Sequence, residues 1–236
     1  MNIYGLQKLS LLDYPEKLAA TIFTGGCNLR CPFCHNASLV THLSDIEKIS
    51  DDDVFSFLKK RTGILDGVCI TGGEPLLQDD LEDFIREIRK LGFLIKLDTN
   101  GVSPKKLSLL IDNGLIDYAA MDIKNSPEKY PLTVGIPDFN IEPVLESVGI
   151  LLQGKIQYEF RTTLVRQFHS FEDIEKIGHL VKGAENYYLQ RFENSGDLVG
   201  FGDSTGIPML SGFSELETAQ FKDILAQHVV NVKIRN

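Results

Sequence analysis

Three of the four cysteines, Cys27, Cys31 and Cys34, stand in one short stretch, Thr24-Gly25-Gly26-Cys27-Asn28-Leu29-Arg30-Cys31-Pro32-Phe33-Cys34-His35-Asn36, directly after an apolar run. The C-x3-C-x2-C spacing turns successive sulfurs toward a common centre, so that one loop can wrap three corners of a cubane. Such soft ligands suit an iron–sulfur cluster, zinc or copper(I). In a four-iron cluster, three thiolates leave one iron with open coordination, able to bind a ligand as well as to pass electrons. His35 follows a candidate ligand directly; joint ligation from adjacent residues is awkward, and His35 is left out of the metal set. Cys69 stands apart inside an apolar run and reads as a core residue.

A second candidate is the Gly72-Gly73-Glu74-Pro75 turn, which offers flexible backbone for close ligand approach and one acid beside it. Taken alone, such a turn is as readily structural. Ser50-Asp51-Asp52-Asp53 is read as a helix cap and an acidic first turn that suits the helix dipole, not as a metal site.

Composition bounds what these residues serve. With 236 residues, 43% of them hydrophobic, the chain can bury a substantial core without disulfides. A formal net charge of −9 argues against a broad nucleic-acid footprint or an anionic membrane surface, and favours a protein partner or a small ligand. Met1-Asn2-Ile3-Tyr4-Gly5 has neither a basic nor an apolar leader pattern, and no run approaches the length of a membrane span. The expected location is therefore the cytoplasm, where cysteines serve as ligands or buried thiols more often than as staples.

Periodicity supplies the elements that must position the candidates. Apolar runs predict strands at 18–23, 67–71, 93–98, 117–122, 158–163 and 186–191. Helical patterns follow them, the last near 214–228, with a possible edge strand at 229–234 and residues 1–17 as an N-terminal flap. Six successive βα units imply an α/β fold with a parallel sheet, either an open partial barrel or a doubly wound sheet. In both architectures sites gather at the carboxyl ends of the strands, where the cysteine loop, Glu74, Asp98, Asp122 and Arg161 all fall. Residues 192–213 hold Gly196, Gly200, Gly202, Gly206 and Gly212 and read as a long loop of the kind that is often functional.

Together the cysteine loop, Gly72-Gly73-Glu74-Pro75, Asp98-Thr99-Asn100-Gly101 and Asp122-Ile123-Lys124 resemble the radical S-adenosylmethionine (SAM) superfamily, and within it the glycyl-radical-enzyme activating enzymes. The stretch from Gly5 through Asn36, with Leu9-Ser10-Leu11-Leu12-Asp13-Tyr14-Pro15 ahead of the cysteines, is most similar to the activating proteins of anaerobic ribonucleoside-triphosphate reductases. The resemblance runs to about Arg191. It implies one radical SAM domain over residues 1–236, a partial (β/α)6 barrel carrying a [4Fe–4S] cluster. By the same resemblance Cys27, Cys31 and Cys34 ligate three irons and act catalytically through the cluster, while the SAM amine and carboxylate chelate the fourth. Phe33 would pack near the adenine and Asn36 contact the nucleoside; Gly72, Gly73 and Glu74 match the turn that receives the methionyl ammonium. Asp122 and Lys124 match residues near the ligand's polar groups, and Asp98 with Thr99 would hold a monovalent cation or serve a strand end.

The implied activity is reductive cleavage of SAM to methionine and a 5′-deoxyadenosyl radical, which takes a hydrogen from a glycine Cα of a glycyl radical enzyme. An external donor such as flavodoxin or ferredoxin would supply the electron; neither nucleic acid nor membrane is an expected partner. The long loop is expected to border the barrel mouth and meet the partner's glycine loop. Arg161 suits either a carboxylate ligand or an internal ion pair, and Phe192 either the nucleoside or the core. Glu16 departs from the pattern, standing where related stretches have glycine. Further readings are an activase of another partner such as pyruvate formate-lyase, a radical SAM enzyme acting on a small molecule, or a zinc-stabilised binding module.

Overall fold

The computed structural model describes residues 1–194, 198–200 and 209–235. Strand β1 (Ile3–Ser10) runs antiparallel to β2 (Ala19–Thr24), so the segment expected as a flap is the edge strand of the sheet. After β2 come the short helix α1 (Ala37–Thr41) and then α2 (Asp51–Lys59), which Ser50 caps by accepting the Asp53 N–H at 3.1 Å. The chain continues through β3 (Gly67–Gly72), α3 (Leu81–Lys90), β4 (Leu94–Thr99), α4 (Pro104–Asp112) and β5 (Tyr118–Asp122). A short α5 (Tyr130–Val134) and α6 (Glu142–Leu152) precede β6 (Gln157–Leu164), α7 (Phe171–Leu180), β7 (Asn186–Arg191), α8 (Glu215–Leu225) and β8 (Asn231–Arg235).

The sheet order follows the sequence order from β1 to β8, and every neighbour from β2 onward is parallel. Six strand–helix units in one winding direction thus form a partial barrel of the (β/α)6 kind that does not close. No helix among the described residues is long and apolar enough to cross a membrane.

Alternation along the strands gives the sheet two unlike faces. Ile22, Ile70, Leu97 and Ala119 stand in one row and are fully buried, as are Val68 and Ile95 in the row behind. The alternate row carries Thr21, Cys69, Lys96 and Tyr118, followed toward the carboxyl ends by Asp98, Asp122 and Arg161. A strand aliphatic on one side and polar on the other has the pattern of a barrel wall, with the polar side lining the interior.

The β1–β2 turn explains the departure at Glu16. Its φ is +61°, the left-handed conformation a glycine adopts without strain, and it is the only such non-glycine among the described residues. The turn therefore keeps the shape a glycine would give it. Because Glu16 is exposed, Glu16→Gly removes strain without removing packing. We expect that substitution to stabilise the protein by about 1 kcal/mol in denaturant titrations; an unchanged or lower midpoint would contradict it.

Candidate active site

Close backbone approach builds the floor of the site. Gly26, with φ +90°, bends the chain into the cysteine loop, and its carbonyl accepts the Glu74 N–H at 2.8 Å. The Gly73 N–H donates to the Thr24 carbonyl at 2.8 Å, and a Cβ at Gly73 would overlap the Gly26 carbonyl. The Asn36 side chain closes the same junction, donating to the Gly72 carbonyl at 2.8 Å. The cysteine loop and the Gly72-Gly73-Glu74 turn are thus one interlocked unit. On the other side the Arg30 N–H bonds the Val134 carbonyl at 2.9 Å, fixing the loop to the end of α5.

Cys27, Cys31 and Cys34 all line a cavity of about 300 Å³ at the carboxyl ends of the strands. The Leu29 N–H points at the Cys27 sulfur from 3.4 Å and the Asn100 side-chain amide from 3.8 Å. Burial pushes the Cys31 thiol up to about 12 and raises that of Cys27 as well. Gathering one buried and two half-buried sulfurs at one cavity wall suits a shared cationic inorganic core, so the donor set fits an iron–sulfur cluster. Cys69 is not part of this group: it is fully buried beneath the cavity, its sulfur 3.7 Å from Lys96 Nζ.

The remaining sequence candidates converge on the same cavity. Phe33, Asn36, Gly72, Gly73, Glu74, Asp98, Asp122 and Lys124 line it, together with Arg161. The Phe33 ring packs on Phe168 with centroids 5.7 Å apart, while His35 turns to Phe192 at 5.3 Å. Phe192 is 4% exposed and does not line the cavity, which decides for its core role.

Glu74 has two tasks. Its carboxylate accepts from Leu76 N (3.1 Å), Thr99 Oγ1 (2.8 Å) and Asn100 N (2.7 Å), tying the glycine turn to the end of β4. Burial nevertheless prevails over these donors and raises its carboxyl to about 7. It is an acid that can exchange its proton for a cationic ligand near neutral pH.

Next to it runs an alternating charge ladder. Lys96 pairs with Asp98; Arg161 bonds Asp98 at 3.0 Å and Asp122 at 2.9 Å; Lys124 closes on Asp122 at 3.0 Å. Burial alone would raise the Asp98 carboxyl, but Arg161 and Lys96 hold it at about 2. Likewise burial opposes the Lys124 charge, yet Asp122 holds its ammonium well above the usual range. Arg161 and Lys124 line the cavity with Asp98 and Asp122 while Lys96 lies behind them, so the ladder is charge-compensated and Lys124 is the ammonium it presents to a carboxylate ligand.

Sequence reasoning gave no role to Lys96 or Glu159, and none to Asn100 beyond its place in a motif. Lys96 and Asp98, like Glu159 and Arg161, are charges two apart within apolar strands, a spacing that puts both on one face. Glu159, fully buried, receives Tyr118 Oη at 2.8 Å and Arg235 at 2.6 and 2.9 Å.

The long loop lies only partly within the described residues; 195–197 and 201–208, with Gly196, Gly202 and Gly206, fall outside them. The described part docks on the cysteine loop, where Val199 N–H meets the Cys34 carbonyl at 3.3 Å and Gly200 N–H meets that of Pro32 at 3.0 Å.

Removing the shared guanidinium should be costly, because two buried carboxylates lose a partner at once. Arg161→Gln is expected to lower unfolding stability by about 3 kcal/mol. Chemical denaturation of the apoprotein checks this, and a loss under about 1 kcal/mol would show that Lys96 and Lys124 suffice.

Against known proteins, the model of the Radical SAM superfamily matches residues 21–181. A Methanocaldococcus jannaschii protein named as a candidate glycyl-radical enzyme activating enzyme is 36% identical over 198 residues, 81% of this chain and 80% of that one. An Aquifex aeolicus GTP 3′,8-cyclase is 34% identical, matching 71% of this chain and 53% of its own. Among solved structures, a domain of pyruvate-formate lyase-activating enzyme from Bacteroides vulgatus superposes with a TM-score of 0.55 at 18% identity, over 72% of this chain and 99% of that one. Streptococcus suis SuiB bound to its precursor peptide reaches a TM-score of 0.68 at 13% identity, over 92% of this chain and 48% of that one. At these identities the two structures show a shared fold.

Proposed function

The chain belongs to the radical SAM superfamily and, within it, to the glycyl-radical enzyme activating enzymes, and from that premise we propose that it generates the glycyl radical of an anaerobic ribonucleoside-triphosphate reductase. One observation carries the chemistry. The three-cysteine loop, the Gly72-Gly73-Glu74 turn and the Asp98–Arg161–Asp122–Lys124 ladder line one cavity. The choice of partner is supported by the N-terminal stretch from Gly5 to Asn36.

In this reading Cys27, Cys31 and Cys34 would hold a [4Fe–4S] cluster with three thiolates, one iron remaining for SAM. When bound, the cluster supplies the single electron, drawn from a donor such as flavodoxin or ferredoxin, that cleaves the sulfonium bond to C5′ and so furnishes the oxidant for a glycine Cα–H. The protein's own residues bind and orient. Glu74 offers a carboxylate to the N–H groups of the methionyl amine, with Gly72 and Gly73 allowing close approach. Lys124, paired with Asp122 at the cavity wall, offers its ammonium to the carboxylate. Phe33 gives the adenine an apolar surface, and Asn36, held against Gly72, stands beside the nucleoside.

For the monovalent cation that the resemblance associates with Asp98 and Thr99, our reading is that the Arg161 guanidinium fills the place. Both Asp98 and Asp122 are already bonded to it. The described part of the long loop, which meets the cysteine loop at Val199 and Gly200, is proposed to border the opening where the partner's glycine loop enters.

The Glu74 carboxyl gives a pH signature. With a free-state value near 7, the group must lose its proton to accept the N–H groups of the iron-bound methionyl amine, so affinity falls as pH drops below 7. SAM binding by the cluster-loaded protein should weaken about tenfold between pH 8 and pH 6. In Glu74→Gln that slope should flatten to what deprotonation of the ligand's own amine leaves; a slope unchanged in the variant would assign the whole effect to another group.

The assignment itself is tested by mixing reduced, reconstituted protein and SAM with candidate partners under anaerobic conditions. A glycyl-radical EPR signal on a ribonucleotide reductase, lost when Cys27, Cys31 or Cys34 is replaced by alanine, is the expected result. Failure with a competent reductase alongside success with pyruvate formate-lyase would move the assignment to that partner.

A further inference from the structure

On the opposite rim of the sheet, where helices end and strands begin, we propose a second metal site formed by Glu175, His179 and His228, built for a zinc-class divalent ion. Glu175 and His179 are four apart on α7 and so share one face of the helix. His228 arrives from the turn between α8 and β8. Its Nε2 lies 2.9 Å from Glu175 Oε1, and His179 Nε2 lies 3.4 Å from the same oxygen. One ligand atom from each residue falls within 4.8 Å of the others, and the two rings are 4.5 Å apart. Around a tetrahedral ion with metal–ligand bonds of about 2.0–2.1 Å, neighbouring ligand atoms stand roughly 3.3 Å apart. The two measured separations bracket that edge.

The backbone prepares this convergence. A Cβ at position 178 would collide with the His228 ring, so Gly178 is what allows the imidazole to lie against α7. A glycine inside a helix costs about 1 kcal/mol relative to alanine, and here it is tolerated where the ring must approach. His228 is fixed at both backbone groups, its N–H on the Leu225 carbonyl and its carbonyl on the Gly183 N–H, each at 2.9 Å. Its side chain is 9% exposed, whereas Glu175 and His179 are open to solvent, leaving room for water to complete a coordination sphere. The neighbouring cation, Lys176, is turned to Glu172 and Glu128.

A single Glu–His hydrogen bond would need only one imidazole. Two imidazole nitrogens directed at one carboxylate oxygen are better used by a shared cation, and two nitrogens with one carboxylate form a donor set for zinc-class ions. The ion would join α7 to the turn that enters β8, the strand whose Arg235 pairs with Glu159 inside the barrel. The role is structural and does not depend on the reaction proposed above.

The test uses the cluster-loaded protein, in which the cavity cysteines are engaged, desalted and titrated anaerobically with Zn²⁺ by calorimetry. We expect one further zinc per chain at micromolar affinity, weakened at least about tenfold in His179→Gln and in His228→Gln. X-ray absorption at the zinc edge should show nitrogen and oxygen neighbours only. His179 is exposed, so its variant folds whether or not the site exists. No binding at 100 µM zinc (about −5.5 kcal/mol), affinity unchanged in His179→Gln, or sulfur in the zinc shell would overturn the proposal.

Discussion

A guanidinium shared between two carboxylates inside a polar barrel wall is the constraint on which the site depends. Arg161 on β6 reaches Asp98 on β4 and Asp122 on β5, and Lys96 and Lys124 neutralise the outer oxygens. In a buried setting none of these charges is tolerable alone, since each would be driven toward its neutral form. Their mutual pairing therefore fixes the relative height of three strand ends. It also sets Lys124 and Arg161 at the cavity lining, which turns a structural ion network into part of a ligand surface.

Glycine provides the complementary constraint. Gly26 and Gly73 let two loops touch backbone to backbone, and Asn36 seals the contact through Gly72. The cysteines are thereby carried to a defined distance from Glu74, which is itself held by Thr99 and Asn100 at the end of β4. Backbone interlock on one side and ion pairing on the other hold the cavity open without an apolar plug. A preorganised cavity of this kind spares a ligand the cost of ordering its own binding groups.

Much of this could be read along the chain. The cysteine spacing, the glycine turn and the recurrence of acids at strand ends were enough to group the site, because parallel βα winding brings every strand's carboxyl end to one rim. Strands predicted at 67–71, 93–98 and 186–191 lie within a residue of β3, β4 and β7. Residues 1–17 were harder: β1 shows little alternation, because on this edge strand Gln7, Lys8 and Leu9 are exposed in succession. Lys96 and Glu159 were also missed, since a charge within an apolar strand gives no sign of its partner.

The sequence by itself determined which residue types exist to do chemistry and the order in which the elements present them. Local spacing suffices for that, for ligands three and four residues apart and for a strand's period of two. Only the tertiary structure decided pairing: that Arg161 spends its donors on Asp98 and Asp122, that Glu74 anchors a turn as well as facing the cavity, and that His228 reaches Glu175 on α7. Those contacts join residues tens of positions apart, and their partners are set by strand register and helix packing, which no local pattern encodes.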